Sequence, residues 1–259
     1  MKNFNFLYFI PAKETSTRFP GKGLKKIAGL SLVQKAALVA AKSFLNSQRS
    51  EGIIFSSENP ITLSHAEVIN TYYRKELNIS SNIITLHKRD SSQSQPTSRI
   101  EDLLKDFLLA PRYENVSHVI LLNPTSPLRT LDTIQRSIDI ILAGKYDSTT
   151  TVYKTHKPGL NWTQDGERWI PQNYKRRVRT QDIQPYYIEH GACYIAPRES
   201  IIEKGTLYGE NPFPVETNFR ESIDVDTPED YLIAKAIGEY DHLSDFFSEQ
   251  SIKKLIEGE

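Results

Sequence analysis

The chain has 259 residues, with 32 lysines and arginines balanced by 32 aspartates and glutamates. This balance excludes an overall basic field that would draw the protein to nucleic acid or to an anionic membrane, so any anion-binding site must be local. Hydrophobic residues make up 38% of the chain and are spread along its length, which excludes wholesale disorder and predicts one large core.

Short apolar runs alternate with longer amphipathic segments along the chain. In chain order, this pattern predicts strands at 4–10, 53–56, 83–86, 118–122, 149–153, 192–196 and 221–225. It predicts helices between or after them at 32–45, 61–76, 99–109, 131–143 and 228–238. The alternation predicts an α/β fold with a mostly parallel, Rossmann-like doubly wound sheet, covered by helices on both faces.

Several of these helices begin with recognisable capping sequences. Ser31 and Ser98 are each followed three residues later by Gln or Glu, the spacing of a capping box. Asn59 and Thr227 each precede a proline, which suits the first position of a helix. These signals predict where four of the helices start.

The segment from about 154 to 187 breaks the alternation. It contains Trp162, Trp169, three prolines and a basic cluster, with little helical periodicity. We expect one domain over 1–259 with this segment inserted as a protruding arm. Exposed tryptophans would need a covering surface, which favours an arm that forms a homodimer, while a long loop folded back on its own domain stays an alternative.

Targeting and redox signals are few. The lone cysteine, Cys193, cannot form an internal disulfide, which fits a reducing compartment. The first apolar run stops at Pro11 and is too short for a signal peptide or a membrane-spanning helix. We therefore expect a cytoplasmic protein that does not bind a membrane.

The loop after the first predicted strand is strongly basic. Between Pro11 and Lys26 it carries five cations and one acid, together with Ser, Thr and Gly residues. Ligands bind at the carboxyl ends of strands in open α/β sheets, and such a loop can offer cations and backbone N–H groups to a polyphosphate. A solvated basic loop is the alternative, and the segment lacks the spacing of a Walker loop.

Two further segments carry candidate site residues. Strand 118–122 is followed by Asn123, Thr125, Ser126 and Arg129, a polar set that suits a polyhydroxylated acid, although a capped turn would use the same residues. Asp224 and Asp226 lie at the end of the last predicted strand, and two carboxylates at that spacing suit Mg²⁺ held jointly with phosphates. One cap and one surface acid is the alternative for this pair.

Three blocks of sequence together resemble the acylneuraminate cytidylyltransferases. They are IPAKETSTRFPGK at 10–22, LLNPTSPLR at 121–129 and SIDVDTPED at 222–230, and the resemblance covers about residues 6 to 235. The resemblance implies a single nucleotidyltransferase domain. It also implies transfer of a cytidylyl group from CTP to an acidic keto-sugar, giving pyrophosphate and a CMP-sugar for surface polysaccharide biosynthesis.

The resemblance also assigns roles to individual residues. Arg18 and Lys22 would act on the departing pyrophosphate, and Asp224 and Asp226 would hold Mg²⁺, making these four the catalytic set. The implied substrate contacts are Ala12, Lys13, Arg89, Asn123, Thr125, Ser126, Arg129, Arg177, Arg179, Gln181 and His190. The chain departs from the family at Asn123, where Gln is usual, and at His190, where Asn is usual.

Other functions stay open at this point. The block at 123–129 favours a nine-carbon, sialic-acid-like sugar, whereas the block at 16–23 is closer to enzymes that activate the eight-carbon 3-deoxy-octulosonic acid. An Asp-x-Asp pair also occurs in metal-dependent glycosyltransferases. A non-catalytic nucleotide-binding protein is a further alternative.

Overall fold

A mixed seven-stranded sheet forms the centre of this computed structural model, which describes residues 4–14, 16–47, 49–95, 97–156, 162–172, 179 and 182–240. The strands in chain order are β1 (Phe6–Pro11), β2 (Lys26–Ile27), β3 (Leu30–Ser31), β4 (Ser50–Ser57), β5 (Ile84–Lys88), β6 (His118–Leu121), β7 (Ser148–Thr155), β8 (Trp162–Asp165), β9 (Arg168–Pro171), β10 (Tyr186–Pro197) and β11 (Pro212–Thr217). The central sheet has the order β11-β7-β10-β6-β1-β4-β5.

Within this sheet, β10 runs against its neighbours. It pairs antiparallel with both β6 and β7, while the other pairs in the sheet are parallel. The predicted mostly parallel, Rossmann-like sheet is therefore confirmed. The carboxyl ends of β1, β4, β5 and β6 meet at one edge of the sheet, where the predicted motifs begin.

Helices cover both faces of the sheet. The covering helices are α1 (Leu32–Asn46), α2 (Pro60–Glu76), α3 (Ile100–Leu108) and α4 (Leu131–Leu142), while α5 (Pro228–Tyr240) packs beside the short strand β2. Alternate residues of β1 serve the two faces: Tyr8 and Ile10 pack with α1, α2 and α4, whereas Leu7 and Phe9 pack with α3. This period-2 division of one fully buried strand is what a doubly wound sheet requires. None of the helices in the described part of the chain is long and apolar enough to span a bilayer.

The capping predictions are confirmed at three helices and wrong at one. Ser31 and Gln34 form a reciprocal capping box on α1, and the Asn59 side chain accepts a hydrogen bond from the Ile61 N–H at the start of α2. At the start of α5, the Thr227 hydroxyl accepts a hydrogen bond from the Asp230 N–H at 3.2 Å, and Pro228 is the first helical residue. The predicted Ser98 cap of α3 does not form. Its hydroxyl donates instead to the Ser92 carbonyl, and α3 begins one residue later than that cap would place it.

Two strand predictions need correction near the end of the described chain. Residues 223–225 of the predicted strand at 221–225 have no regular secondary structure, because Ile223 and Val225 pack in a small cluster with Leu128 and Ala234 instead of joining the sheet. The last strand is β11, which the sequence analysis missed because it contains Pro212 and Pro214. Prolines are tolerated there because β11 is an edge strand that pairs with β7 alone.

The inserted segment contains a hairpin of its own. Strands β8 and β9 pair antiparallel, and Trp162 and Trp169 are 51% and 61% exposed. The flanking strands β7 and β10 reach further into the segment than predicted and pair as far as Thr155 and Tyr186. The exposure of both tryptophans matches the expectation of an arm, and its role in a homodimer stays a prediction.

Candidate active site

The three motifs meet in one cleft at the carboxyl edge of the sheet. The cleft has a volume of about 300 Å³. Its lining comes from the loop after β1, the turn after β6 and the segment before α5, namely Pro11, Lys13, Ser16, Thr17, Arg18, Lys22, Asn123, Pro124, Thr125 and Asp226. Residues about 100 and 200 positions apart in sequence thus share one surface, as the predicted topology requires.

The basic loop presents Arg18 and Lys22 to the same carboxylate. Gly21 has a φ of +68°, a left-handed conformation that suits glycine, and it precedes a short 3₁₀ turn that carries Lys22. Lys22 Nζ donates to Asp226 Oδ1 at 2.8 Å and to the Val225 carbonyl at 2.9 Å, while Arg18 Nη2 donates to Asp226 Oδ2 at 2.7 Å. The Lys22 side chain is 13% exposed and that of Arg18 is 66% exposed, so Arg18 is the freer of the two to turn towards a ligand.

Asp224 and Asp226 lie in an irregular segment that is tied to the turn after β6. The Val225 N–H donates to the Thr125 carbonyl at 2.7 Å, which holds the segment against the cleft. Asp224 Oδ1 is buried and has no hydrogen-bond partner in the described structure. Burial raises the pKa of Asp224, and the Asp226 and Asp230 carboxylates raise it further, while the Thr125 hydroxyl and Lys22 oppose this shift.

A cation would suit this pair of carboxylates. A buried carboxylate oxygen without a donor is a costly arrangement that a metal ion relieves, and hard carboxylate ligands are those that Mg²⁺ prefers. No group of three or more His, Cys, Asp or Glu side chains with metal-binding geometry occurs among the described residues, so phosphates or water would complete the coordination. The donor set therefore fits Mg²⁺ shared with a polyphosphate, and the metal itself stays a prediction.

A second group of predicted residues lies where β1, β4 and β5 end. The Ala12 N–H and Arg89 Nη2 each donate to the Ser56 carbonyl at 2.9 Å, and Lys13 Nζ donates to the Gln95 carbonyl. Arg89 is 5% exposed, and burial lowers its pKa. Arg89 thus gives two donors to Ser56, since its Nε also donates to the Ser56 hydroxyl at 3.3 Å. Of these three residues, Lys13 lines the cleft, and a substrate contact stays a prediction for Ala12 and Arg89.

The predicted site residues in the turn after β6 lie in two different environments. Asn123 and Thr125 line the cleft. Arg129 is 4% exposed and donates to the carbonyls of Asn123 and Ala192, while Ser126 is 2% exposed. In place of the predicted substrate contact, the structure gives Arg129 the role of joining this turn to β10.

His190 also lies behind the cleft surface. It is 8% exposed, and its Nε2 lies 2.8 Å from Thr217 Oγ1 on β11, while its Nδ1 is buried without a hydrogen-bond partner in the described structure. The next residue, Gly191, packs against Asn123: a Cβ built on this glycine would lie 2.9 Å from Asn123 Nδ2. His190 is not part of the cleft lining, and its contact with substrate stays a prediction.

The basic residues predicted on the inserted segment are only partly described. Arg179 is exposed and donates to both carboxylate oxygens of Asp182, at 2.8 and 3.1 Å. Arg177 and Gln181 lie outside the described residues. The structure does not bring Arg179 to the cleft lining, and a contact with the sugar carboxylate stays a prediction for these three residues.

The sequence analysis missed Glu221, a buried carboxylate that holds the Asp224 segment in place. Glu221 is 4% exposed, and its Oε2 accepts hydrogen bonds from the Thr130 N–H, the Thr130 hydroxyl and the Thr133 hydroxyl at 2.6–3.1 Å. The Asn218 amide donates to its other oxygen at 3.0 Å. Glu221 therefore caps the N-terminus of α4 from 91 residues away. Its only sequence signal is an acid just before the third motif.

We expect Glu221→Ala to lower the free energy of unfolding by about 2–4 kcal/mol, because several buried donors lose their acceptor. Turnover should fall as well, since the segment that carries Asp224 loses its anchor on α4. Urea denaturation of the variant and of Glu216→Ala, an exposed glutamate on β11, provides the comparison. Equal stability of the two variants would contradict this role for Glu221.

Because His190 is buried, we expect the protein to lose stability in weak acid. Burial lowers its pKa to about 4, and the nearby Arg129 charge lowers it too. The unfolded chain takes up a proton near pH 6.5 while the folded protein does not, so stability is present above pH 6.5 and is lost as pH falls towards 4. Between pH 6.5 and pH 4, this difference in proton uptake lowers the free energy of unfolding by about 3 kcal/mol. Denaturation curves at pH 7 and pH 4.5 should show a smaller loss in His190→Asn than in the wild type, and equal losses would exclude His190 as the cause.

A larger cavity, of about 620 Å³, lies away from these motifs. It is bordered by Ser117 and His118 at the start of β6, by Asp147 before β7 and by the turn at 197–204. The described residues of the predicted site are absent from its lining. The smaller cleft, where Arg18, Lys22 and Asp226 converge, is therefore the candidate active site.

Curated proteins that resemble this chain over most of its length are named cytidylyltransferase or CMP-sugar synthase, in agreement with the predicted nucleotidyltransferase class. The N-acylneuraminate cytidylyltransferase of Streptococcus agalactiae serotype III is 26% identical over 229 residues, which make up 86% of this chain and 51% of that protein. The CMP-N,N'-diacetyllegionaminic acid synthase of Legionella pneumophila is 28% identical over 242 residues, or 90% of this chain and 96% of that protein. The predicted resemblance to the acylneuraminate cytidylyltransferases is thus confirmed, and this chain spans about half the length of the streptococcal relative.

Solved structures agree on the fold. The CMP:2-keto-3-deoxy-manno-octonic acid synthetase complexed with CTP has a TM-score of 0.59 at 14% identity, covering 92% of this chain and 99% of that one. The 4-diphosphocytidyl-2C-methyl-D-erythritol synthase of Anaerococcus prevotii has a TM-score of 0.55 at 13% identity, covering 91% and 96%. No protein-family model matches the chain.

Proposed function

We propose that this protein transfers the cytidylyl group of CTP to an acidic keto-sugar of the nine-carbon, sialic-acid-like class, releasing pyrophosphate. The observation that carries the proposal is the meeting of Arg18, Lys22 and Asp226 in one cleft with a polar turn after β6. The names of the curated relatives support the same chemistry, and both act on sugars with acylamino groups. The eight-carbon octulosonic acid stays the alternative substrate.

In the proposed reaction, the anomeric hydroxyl of the sugar attacks the α-phosphorus of CTP in line with the departing pyrophosphate. A new oxygen–phosphorus bond forms as the bond from the α-phosphorus to the bridging oxygen of the β-phosphate breaks, and the proton of the anomeric hydroxyl is released to solvent. No covalent intermediate with the protein is required, so catalysis rests on positioning and on charge stabilisation.

The residues of the site would have separate roles in this reaction. Arg18 and Lys22 would exchange their contacts with Asp226 for contacts with the phosphates, stabilising the negative charge that develops on pyrophosphate. Asp224 and Asp226 would hold a Mg²⁺ ion, which supplies positive charge at the phosphate oxygens when bound. Ala12, Lys13 and Arg89 would form the wall that receives the cytidine, and Asn123 and Thr125 would face the sugar. We further propose that the enzyme acts in the cytoplasm as a homodimer.

The test is pyrophosphate release by the purified protein with CTP, Mg²⁺ and a panel of eight- and nine-carbon keto-acids. The proposal expects release that needs both CTP and a keto-acid, with the nine-carbon acid preferred. A metal-dependent glycosyltransferase would instead consume a preformed nucleotide-sugar, so a parallel reaction with CMP-sugar and an acceptor glycan serves as the comparison. Pyrophosphate release with none of the acids would overturn the proposal.

A further inference from the structure

The amino-terminal half of β10 extends beyond the edge of the sheet, beside the cleft. β10 pairs with β6 only from Tyr194 onwards, opposite Leu121, whereas its earlier residues 186–190 pair with β7 alone. Because β10 is antiparallel to β6, those earlier residues extend past the carboxyl end of β6, above the sheet edge where the cleft opens. Gly191, packed against Asn123, marks the point where β10 meets the cleft lining.

Glu189 lies on this raised part of the strand, two residues before Gly191. Its side chain is exposed, and two tyrosine hydroxyls donate to it. Tyr194 donates to Oε1 at 3.0 Å, and Tyr208 lies 2.5 and 2.6 Å from the two oxygens. Within the described part of the chain, no lysine or arginine forms an ion pair with Glu189.

The corner formed by Glu189, Tyr194 and Tyr208 has a defined chemical preference. Burial and the Glu189 carboxylate raise the pKa of both tyrosines, so their hydroxyls stay neutral and remain directed at Glu189. An ionised carboxylate only accepts hydrogen bonds, and with about four lone-pair positions it keeps capacity for a donor beyond the two tyrosines. The corner therefore favours a neutral N–H or O–H donor and repels a carboxylate.

We propose that Glu189 accepts a hydrogen bond from a donor group on the tail of the acidic sugar, and so selects sugars that carry an acylamino N–H or an additional hydroxyl there. This inference rests on the proposed function. The sugar carboxylate would face the cations of the site, and the negative corner at Glu189 would orient the opposite, neutral part of the same molecule. Glu189 is thus a specificity residue that the three sequence motifs do not include.

The test compares kcat/KM for N-acetylneuraminate, for its deaminated nine-carbon analogue and for 3-deoxy-octulosonate at saturating CTP. In Glu189→Gln we expect kcat/KM for N-acetylneuraminate to fall about ten- to a hundredfold, the range of a lost charge-assisted hydrogen bond. The value for octulosonate and the KM for CTP should change little. The deaminated analogue distinguishes the two kinds of donor. If kcat/KM for the analogue falls as much as that for N-acetylneuraminate, a hydroxyl can make the contact. If kcat/KM for the analogue does not fall, the acylamino N–H makes the contact.

The matched control is Glu51→Gln, an exposed glutamate near the start of β4, at the opposite edge of the sheet. Tyr208→Phe removes one donor from Glu189 without touching its charge, and it carries the test if Glu189→Gln does not fold. Tyr208→Phe should also lower the ratio of kcat/KM for N-acetylneuraminate to kcat/KM for octulosonate. An unchanged ratio between N-acetylneuraminate and octulosonate in both variants would overturn this inference, whereas a wild type inactive on every acid would overturn the proposed function itself.

Discussion

Replacing Asp224 by asparagine is expected to reduce pyrophosphate release by about a thousandfold or more while leaving the fold intact. Asp224 Oδ1 is buried without a partner, so the carboxylate has no structural hydrogen bond to lose at that atom. A neutral amide would relieve the cost of burying an unpaired charge, and the free energy of unfolding should stay equal or rise. The loss of activity would reflect several kcal/mol of charge stabilisation at the phosphates.

Two further variants complete this experiment. Asp226→Asn should lose a comparable amount of activity and also release Arg18 and Lys22 from their shared partner. Asp139→Asn, an exposed position on α4, is the matched control and should behave as the wild type. Initial rates over a Mg²⁺ titration, together with urea denaturation, are the measurements. Asp226 lines the cleft and Asp224 lies beside it, outside the lining. Near-normal Mg²⁺-dependent rates in both aspartate variants would show that the carboxylates do not hold the metal.

Arg18→Ala is expected to lower kcat/KM for CTP about a hundredfold, the scale of losing one group that stabilises transition-state charge. Its side chain is mostly exposed and is held by Asp226, so removing it should change stability little. Lys22→Ala should lower activity as well, and here stability should also fall because Lys22 Nζ contacts the Val225 carbonyl. Lys105→Ala, exposed on α3, serves as the control.

Inhibition by pyrophosphate gives an independent measurement for the same variants. If Arg18 and Lys22 contact the departing group, the inhibition constant for pyrophosphate should rise in both variants and stay constant in Lys105→Ala. Three variants with the same activity and the same inhibition constant would mean that the loop is an ordinary basic surface.

The helices and the parallel strands could be predicted because their signals are local. The Ser31 capping box and the Asn59-Pro60 start depend on neighbouring residues, and continuous apolar runs mark strands that are buried on both faces. β11 could not be predicted in this way, since only its place at the sheet edge makes Pro214 acceptable. The reverse error occurred at 221–225, where alternating apolar residues serve a small side cluster instead of a strand.

In the site, too, residues within local sequence motifs could be predicted, whereas residues whose role depends on distant parts of the chain could not. The sequence blocks marked Arg18, Lys22, Asn123, Thr125 and Asp226, which all line the cleft. They also included Arg129, whose burial depends on the close approach of β10. Glu221 carries little local signal, because three of its four donors lie on Thr130 and Thr133, about 90 residues away, and only Asn218 is a near neighbour in sequence.

The ion pair between Arg18 and Asp226 joins residues 208 positions apart and has a consequence for how the protein acquires activity. The strand that starts the chain, β1, occupies the middle of the sheet and pairs with β6, which is made much later. Contacts of such long sequence separation form slowly, because large loops must close first. On the ribosome, the cleft cannot exist until Asp226 has been synthesised. The appearance of the proposed activity would therefore report that the chain has been made and folded at least as far as Asp226.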